Sequence, residues 1–295
     1  MHGRGEPRTA VLKLPDDLAA QVRGALLEDL GGDLGDGDVS ARLIDVARPG
    51  RATIITREPM ILCGRPWAEA TFDLLDANVR MDWRAQDGDL LPAQATLFEI
   101  EGNARALLTG ERTALNFLQL LSGTATLTRA YVAAVAGTDC QILDTRKTLP
   151  GLRTAQKYAV RCGGGSNHRM GLYDMVLIKE NHIAAAGSIG AAIAAARRMA
   201  PGVAIEVEVE TLDEFRAALE LRPTAIMLDE FTHAQMAHAV EMNLAAGKPV
   251  KLEASGGVDM NSVRAIAETG VDYISIGSLT KHVRAIDLSM RFQLG

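Results

Sequence analysis

Five basic side chains lie close together in an otherwise acidic chain of formal net charge −6: Arg146, Lys147, His168, Arg169 and Lys179. Arginine can make two parallel hydrogen bonds to a carboxylate or phosphate, whereas lysine supplies a compact charge. The alternative interpretation is that these are solvated loop charges or partners of nearby acids. Because the cations follow predicted strands, their pattern favours a site for an anionic ligand.

A second group of ionisable residues is acidic. In the segment IEVEVE, strict alternation places Glu206, Glu208 and Glu210 on one face of a predicted strand. Asp229 ends the next strand-like segment, AIMLD, and is expected to lie nearby. Two such carboxylates suit the hydroxyl groups of a sugar or a hydrated magnesium ion. An edge strand with solvated glutamates, or a buried layer of ion pairs, is the alternative.

Two segments with glycine and serine predict contacts with phosphate. Ser255, Gly256 and Gly257 follow one predicted strand, and Gly277 and Ser278 follow the next. Glycine allows backbone N–H groups to approach a phosphate closely, and serine adds a hydroxyl donor. An SGG segment alone is usually only a turn, but the two segments together fit the phosphate site of a barrel.

These residues must be positioned by the elements between residues 140 and 277, where predicted strands and helices alternate. The alternation predicts a parallel sheet, which is either an open doubly wound sheet or a closed (β/α) barrel. Candidate ligand residues follow nearly every strand, and this even spread favours the barrel. The chain has no GxGxxG and no GxxxxGK[ST] motif, so neither nucleotide fingerprint is present. The predicted strands are 141–144, 175–179, 205–210, 225–229, 250–254 and 273–276, and the predicted helices are 151–161, 185–199, 211–221, 232–246 and 261–269.

The preceding part of the chain mixes strands and helices irregularly, which predicts an α+β domain. Residues 105–136 form a long apolar-periodic stretch, with two helices expected to meet near Ser122 and Gly123. The acidic loop with Asp33, Asp36 and Asp38 lacks the full EF-hand spacing and is interpreted as a capped turn. The other predicted elements are helices 18–30 and 68–75, strands 52–57, 60–63 and 96–101, and a strand in the C-terminal tail.

Composition excludes several other classes of protein. The chain of 295 residues is 47% hydrophobic and 23% charged, which is typical of a globular protein. It has no apolar run long enough for a membrane span and no basic block for nucleic acid. Its three cysteines form no CxxC, which argues against a disulfide framework or structural zinc. The first ten residues lack the apolar core of a signal peptide, so a cytoplasmic protein is expected.

Seven segments together resemble the quinolinate phosphoribosyltransferase family, also called nicotinate-nucleotide pyrophosphorylase (carboxylating). The resemblance covers nearly the whole chain from about residue 20, and the third segment is highly specific. In chain order the segments are EDLGGDLGDGDVS, ERTALNFLQLLSGTAT, DTRKTLPGLRTAQKYAVRCGGGSNHRMGLYDMVLIKENH, EVEVE, MLDE, EASGGV and SIGSLT.

The resemblance implies an α/β protein with an N-terminal α+β sandwich domain (1–122) followed by an incomplete, TIM-like α/β barrel (123–283). The tail 284–295 is expected to return to the first domain. The implied enzyme converts quinolinate and phosphoribosyl pyrophosphate to nicotinate mononucleotide, pyrophosphate and CO2, using Mg2+, in NAD biosynthesis. It is implied to be a homodimer with its sites at the subunit interface, and assembly into hexamers is left open.

The same resemblance implies roles for individual residues. The catalytic residues would be Lys147, Lys179, Glu208 and Asp229. Glu208 and Asp229 would also bind the magnesium ion, through water or substrate oxygens. Arg112 of ERTALN would reach the partner subunit's site. The quinolinate carboxylates would face Arg146, Lys147, His168 and Arg169, substrate anions would meet Lys179, the 5′-phosphate would meet Ser255, Gly256, Gly257, Gly277 and Ser278, and Thr145 and Ile276 would complete the substrate-binding set.

Two other functions remain open at this point. A homologous enzyme acting on a different carboxylated heterocycle, such as the relative associated with molybdate-uptake operons, would keep the phosphate residues and change the quinolinate-facing set. All four residues of that set are present, which argues against it. A non-catalytic barrel that binds phosphometabolites would be expected to lack the two acidic residues, yet Glu208 and Asp229 are both present.

Overall fold

The computed structural model describes residues 12–35 and 37–294. The segment on which the signal-peptide prediction rests, and Asp36 of the acidic loop, lie outside the described residues. The chain divides into two compact units. The N-terminal unit comprises Met1–Thr126, Pro150–Gly163 and Val283–Gly295, and the barrel unit comprises Leu127–Leu149 and Gly164–His282.

The N-terminal unit combines helices with antiparallel strands. Its core lies between a four-stranded sheet and apolar helix faces, with Phe72, Phe98, Ile100 and Leu118 almost fully buried. Its elements are α1 (Leu18–Asp29), β1 (Pro49–Thr56), β2 (Met60–Ile61), α2 (Arg65–Leu75), β3 (Arg80–Trp83), β4 (Leu90–Leu91), β5 (Thr96–Asn103), α4 (Arg153–Cys162) and β12 (Leu288–Leu294), while α3 (Ala104–Ala134) begins in this unit and ends in the barrel unit.

The order of strands in the four-stranded sheet is β12-β1-β5-β3. The tail strand β12 pairs with β1 in antiparallel register, from Gly50↔Leu294 to Thr56↔Leu288. In the acidic loop, the Asp38 carboxylate accepts hydrogen bonds from the backbone N–H groups of Ser40 and Ala41, at 3.0 and 2.9 Å. That residue therefore makes the turn contacts that the sequence predicts.

The prediction of two helices meeting near Ser122 and Gly123 is wrong, because α3 runs without a break through both residues. Ser122 Oγ donates to the Cys63 carbonyl at 3.1 Å and accepts from its N–H at 3.0 Å. A Cβ at Gly123 would lie 2.2 Å from the Arg284 carbonyl oxygen. The small residues therefore permit close packing on one face of a continuous helix.

Replacing Gly123 by alanine is expected to lower the free energy of unfolding by about 1–3 kcal/mol, since a backbone carbonyl would have to move. Alanine is otherwise the better helix former by about 1 kcal/mol. The matched control is Gly24→Ala in α1, where a Cβ meets nothing within 4 Å, and that variant should be neutral or more stable. Urea unfolding followed by circular dichroism measures both; a Gly123→Ala variant as stable as Gly24→Ala would refute the packing argument.

The barrel unit alternates strands and helices. The side of each strand that faces the helices carries apolar residues. The middle residues of three strands, Ala204–Val209, Ala225–Asp229 and Lys251–Ser255, are almost completely buried. The elements are β6 (Gln141–Leu143), β7 (Met175–Ile178), α5 (Glu180–Ala186), α6 (Ile189–Met199), β8 (Ala204–Val209), α7 (Leu212–Glu220), β9 (Ala225–Asp229), α8 (His233–Ala245), β10 (Lys251–Ser255), α9 (Val263–Glu268), β11 (Tyr273–Ser275) and α10 (Ser278–Lys281).

All six barrel strands are parallel, in the order β6-β11-β10-β9-β8-β7. Each strand from β7 to β11 lies beside its successor, and the first strand pairs with the last. A doubly wound sheet would instead reverse its winding direction at one point. β6 and β7 do not pair with each other, so the barrel-like sheet is not closed. This agrees with the incomplete barrel that the family resemblance implies and corrects the closed barrel that the strand pattern favours.

The predicted helix 185–199 is instead two helices. Gly187 has φ +89°, a left-handed conformation that ends α5 and favours glycine. Ser188 then caps α6, because its hydroxyl accepts the N–H of Ala191 at 3.1 Å. None of the helices in the described ranges is both long and apolar enough to cross a membrane.

Candidate active site

A pocket of about 430 Å³ lies at the carboxyl ends of the barrel strands. This edge of the sheet is where an α/β barrel presents its ligand-binding residues. Most of the predicted site residues contribute to it. The lining residues are Thr145, Arg146, Lys147, His168, Arg169, Leu177, Lys179, Glu208, Met227, Asp229, Glu253, Ser255 and Ser275.

Strand register explains why the acidic residues share one pocket. Glu208 on β8 is paired with Met227 on β9, and Met227 is paired with Glu253 on β10. One level further, Asp229 is paired with Ser255. Since alternate residues of a strand face the same side, these side chains line a common face in two successive layers.

Arg146 and Arg169 both line the pocket, and the charge of Arg146 acts on the Arg169 guanidinium. Burial, together with the Arg146 charge, lowers the pKa of Arg169. The buried Nε of Arg146 has no hydrogen-bond partner within the described ranges. Arg169 Nη1 donates to the Met175 carbonyl at 3.3 Å. Two guanidinium groups held together in this way are prepared for an anion with more than one acceptor.

A buried aspartate positions the loop that carries two of these residues. Asp144 is fully buried and accepts hydrogen bonds from Asn167 Nδ2 at 2.6 Å and from the His168 N–H at 2.9 Å. Ser166 also bridges to Leu143, so the loop runs alongside β6. The sequence interpretation did not predict this role of Asp144. An aspartate at a strand end could have indicated this role as a hydrogen-bond acceptor.

Lys179 and Glu208, which also line the pocket, form an ion pair with each other. The Asp229 carboxylate, by contrast, has no hydrogen-bond or ion-pair partner among the residues described here. The Lys147 side chain is exposed, while its N–H donates to Thr145 Oγ1 at 3.1 Å and its carbonyl accepts from Thr280 Oγ1 at 2.9 Å. The carboxylate of Asp229 and the ammonium group of Lys147 are therefore available to bind a ligand.

Among the glycines of the two predicted phosphate segments, Gly256 is required by its backbone conformation. Gly256 has φ +96°, and a Cβ there would lie 2.5 Å from Glu230 Oε1. A Cβ at Gly277 would lie 2.9 Å from Lys147 Cδ. Of the residues in these segments, only Ser255 lines the pocket. The other predicted residues follow lining residues in the sequence but do not line the pocket themselves: Gly256, Gly257, Ile276, Gly277 and Ser278.

Arg112, the residue predicted to serve a partner subunit, lies on α3 in the N-terminal unit. Its side chain is exposed and makes no hydrogen bond or ion pair within the part of the chain that the structure describes. Within the described residues, Arg112 therefore makes no ion pair with its neighbour Glu111.

The sequence interpretation missed the role of Glu253, which meets Glu206 at the ring of His168. His168 Nε2 lies 2.8 Å from Glu206 Oε2 and 3.4 Å from Glu253 Oε2. Burial and the Glu253 carboxylate raise the pKa of Glu206. Burial lowers the pKa of His168, whereas the hydrogen bonds to the two glutamates raise it.

The other ring nitrogen opposes protonation, because the Arg169 N–H points at His168 Nδ1 from 2.7 Å. A neutral ring with its proton on Nε2 satisfies both contacts, whereas an imidazolium would set two N–H groups against each other. We therefore assign the neutral Nε2–H tautomer from the hydrogen-bond pattern.

The sequence matches one enzyme family along most of its length. Residues 38–122 match the family described as quinolinate phosphoribosyl transferase, N-terminal domain, and residues 124–291 match its C-terminal domain. The nicotinate-nucleotide pyrophosphorylase [carboxylating] of Mycobacterium leprae is 42% identical over 272 residues, which cover 91% of this chain and 95% of the relative. The quinolinate phosphoribosyltransferase [decarboxylating] 1 of Nicotiana glauca is 38% identical, covering 93% and 82%.

The fold agrees with these sequence matches. The solved structure of the nicotinate-nucleotide pyrophosphorylase from Francisella tularensis superposes with a TM-score of 0.90 at 47% identity. The superposition covers 95% of this chain and 98% of that one. The chain belongs to the quinolinate phosphoribosyltransferase family.

Proposed function

We infer that the protein transfers the phosphoribosyl group of phosphoribosyl pyrophosphate to the ring nitrogen of quinolinate, with release of pyrophosphate and CO2. The product is nicotinate mononucleotide, an intermediate of NAD biosynthesis. The observation that carries this inference is the pair of neighbouring guanidinium groups of Arg146 and Arg169. Quinolinate has two adjacent carboxylates, and the buried unpartnered Nε of Arg146 can donate to one of them.

Other lining residues of the pocket suit the second substrate. Asp229 offers an unpaired carboxylate to the ribose hydroxyls, and Lys179 with Glu208 provides a charge pair at the same mouth. The positive φ of Gly256 and the close approach of Gly277 to Lys147 favour backbone contacts with the 5′-phosphate.

The chemistry of transfer relies on charge and position. The quinolinate nitrogen attacks the anomeric carbon, and the electron pair of the breaking C–O bond leaves with pyrophosphate. Fixed charges stabilise the oxocarbenium-like transition state, and the arginines orient the nitrogen. The ring nitrogen, now cationic, stabilises the electron pair left at C2 when the carboxylate departs as CO2. C2 then takes up a proton, so no redox cofactor is needed.

Glu208 and Asp229 are proposed to hold Mg2+, together with water and substrate oxygens. Both offer the oxygen ligands that this cation prefers, and Asp229 is free of other partners in the described residues. They form no three-ligand cluster with another protein side chain in those ranges. This fits an ion that is held partly by substrate phosphates. When bound, magnesium would neutralise the charge that develops on pyrophosphate.

We also propose that the active unit is a homodimer, in which Arg112 adds a cation to the site of the partner subunit. Its free, exposed guanidinium supports this role. The substrates are small molecules, and no role for nucleic acid or membrane is proposed. A cytoplasmic location remains the expectation from the sequence.

The experiment that tests the function is a mass-spectrometric assay for nicotinate mononucleotide and CO2. Quinolinate, phosphoribosyl pyrophosphate and Mg2+ are expected to give both products, and removal of Mg2+ by a chelator should abolish them. Nicotinate serves as the control substrate and should react poorly, because a site built to pair a second carboxylate is left with an unpaired cation. Equal turnover of nicotinate would overturn the dicarboxylate assignment.

A further inference from the structure

Two buried glutamates that no predicted role includes converge on one ring nitrogen of His168. Glu206 and Glu253 are each 1% exposed, and the His168 side chain is 8% exposed. They lie on β8 and β10, which flank β9, so the two carboxylates approach the histidine from separate strands.

Both nitrogens of the His168 ring are engaged by protein atoms. Nε2–H donates to Glu206 Oε2 at 2.8 Å, with Glu253 Oε2 at 3.4 Å, and Nδ1 accepts the Arg169 N–H at 2.7 Å. The ring is therefore held at both ends. Nε2 is hydrogen-bonded to a glutamate inside the sheet, and Nδ1 is hydrogen-bonded to the backbone of Arg169, which lines the pocket.

The burial of these two glutamates is not explained by a contribution to the stability of the fold. Glu206 Oε1 and Glu253 Oε1 are buried and have no hydrogen-bond partner in the described part of the chain. Buried carboxylates that are only partly satisfied destabilise a fold relative to apolar residues of similar size. Their presence next to the pocket indicates a use in the site.

We propose that Glu206 and Glu253 are positioning residues for the quinolinate site. They hold the His168 ring, and the ring in turn holds the backbone of Arg169, so that the Arg169 guanidinium meets a substrate carboxylate in the correct orientation. This inference rests on the proposed function, because it concerns the site assigned there to quinolinate. A displacement of about 1 Å at such a site is enough to reduce turnover substantially.

The first test is Glu253→Ala, with kinetics measured separately for each substrate. We expect the KM for quinolinate to rise about tenfold or more, while the KM for phosphoribosyl pyrophosphate changes less than about threefold. The matched control is Asn243→Ala on α8, a buried residue of the same unit whose Nδ2 donates to the Val250 carbonyl at 3.0 Å. That variant should lose stability without a selective change in either KM.

Conservative variants and a double-mutant cycle separate positioning from general damage. Glu253→Gln keeps an acceptor oxygen for His168 and adds an N–H donor for Glu206, so it should restore the quinolinate KM to within about threefold of wild type. Glu253→Asp moves the carboxylate away from His168 but keeps a polar group, so its KM for quinolinate should lie between those of Glu253→Ala and wild type. This variant replaces Glu253→Ala in the test if Glu253→Ala does not fold. In a His168→Ala background, Glu253→Ala should have little further effect, because the two residues act as one unit.

The outcomes distinguish this inference from the proposed function. If the wild-type protein does not convert quinolinate, the proposed function fails. If the wild type converts quinolinate but Glu253→Ala resembles Asn243→Ala, only the positioning role is overturned. A full effect of Glu253→Ala in the His168→Ala background would likewise overturn it.

Discussion

The Arg146→Ala variant is expected to lose about a hundredfold or more in kcat/KM for quinolinate. Arg146 has a buried Nε without a partner and lies beside Arg169. Removing one member of a desolvated, charge-assisted contact costs about 2–5 kcal/mol, since the substrate carboxylate is left unpaired. Arg146→Lys keeps the charge but loses the planar two-point contact, so it should fall between alanine and wild type.

Steady-state kinetics with quinolinate as the varied substrate, together with calorimetry of quinolinate binding, measures this effect. The matched control is Arg198→Ala, which removes an exposed arginine from the last turn of α6 in the same unit. Its kcat/KM should stay near wild type. An Arg146→Ala variant within about threefold of this control would show that the pair of guanidinium groups does not bind the dicarboxylate.

Mixing two inactive variants, Arg112→Ala and Arg169→Ala, is expected to restore about a quarter of wild-type activity. If Arg112 acts on the partner subunit's site, a heterodimer has one site with both arginines and one with neither. Random exchange makes about half of the dimers heterodimeric, and half of their sites are intact. The exposed, unpaired state of Arg112 is the observation behind this expectation.

Activity measured after verified subunit exchange tests the interface. The control mixture is Arg146→Ala with Arg169→Ala, two residues that line the same pocket of one chain. No heterodimer of that pair has an intact site, so this mixture should stay inactive. If the Arg112→Ala mixture also stays inactive, then Arg112 serves the site of its own chain or no site.

Much of the barrel could be predicted because its signals are local. Alternation in IEVEVE correctly predicted that Glu206 and Glu208 share a face, and strands β7 to β10 lie within one residue of their predicted bounds. Strand β3 was missed because it has only four residues, although RMDW alternates polar and apolar side chains. The break predicted in α3 was wrong, because small residues that pack closely resemble a helix end in the sequence.

The sequence by itself determined most of the charged side chains at the barrel mouth, though not Glu253, since strand periodicity and the position of a residue at the carboxyl end of its strand depend on neighbours in the chain. Only the tertiary structure decided how those side chains pair. Glu206 and Glu253 meet at His168 because two strands flank a third, and Lys179 finds Glu208 across neighbouring strands. Such contacts depend on register and on which strands are adjacent, and a periodic pattern within a single strand carries no information about either.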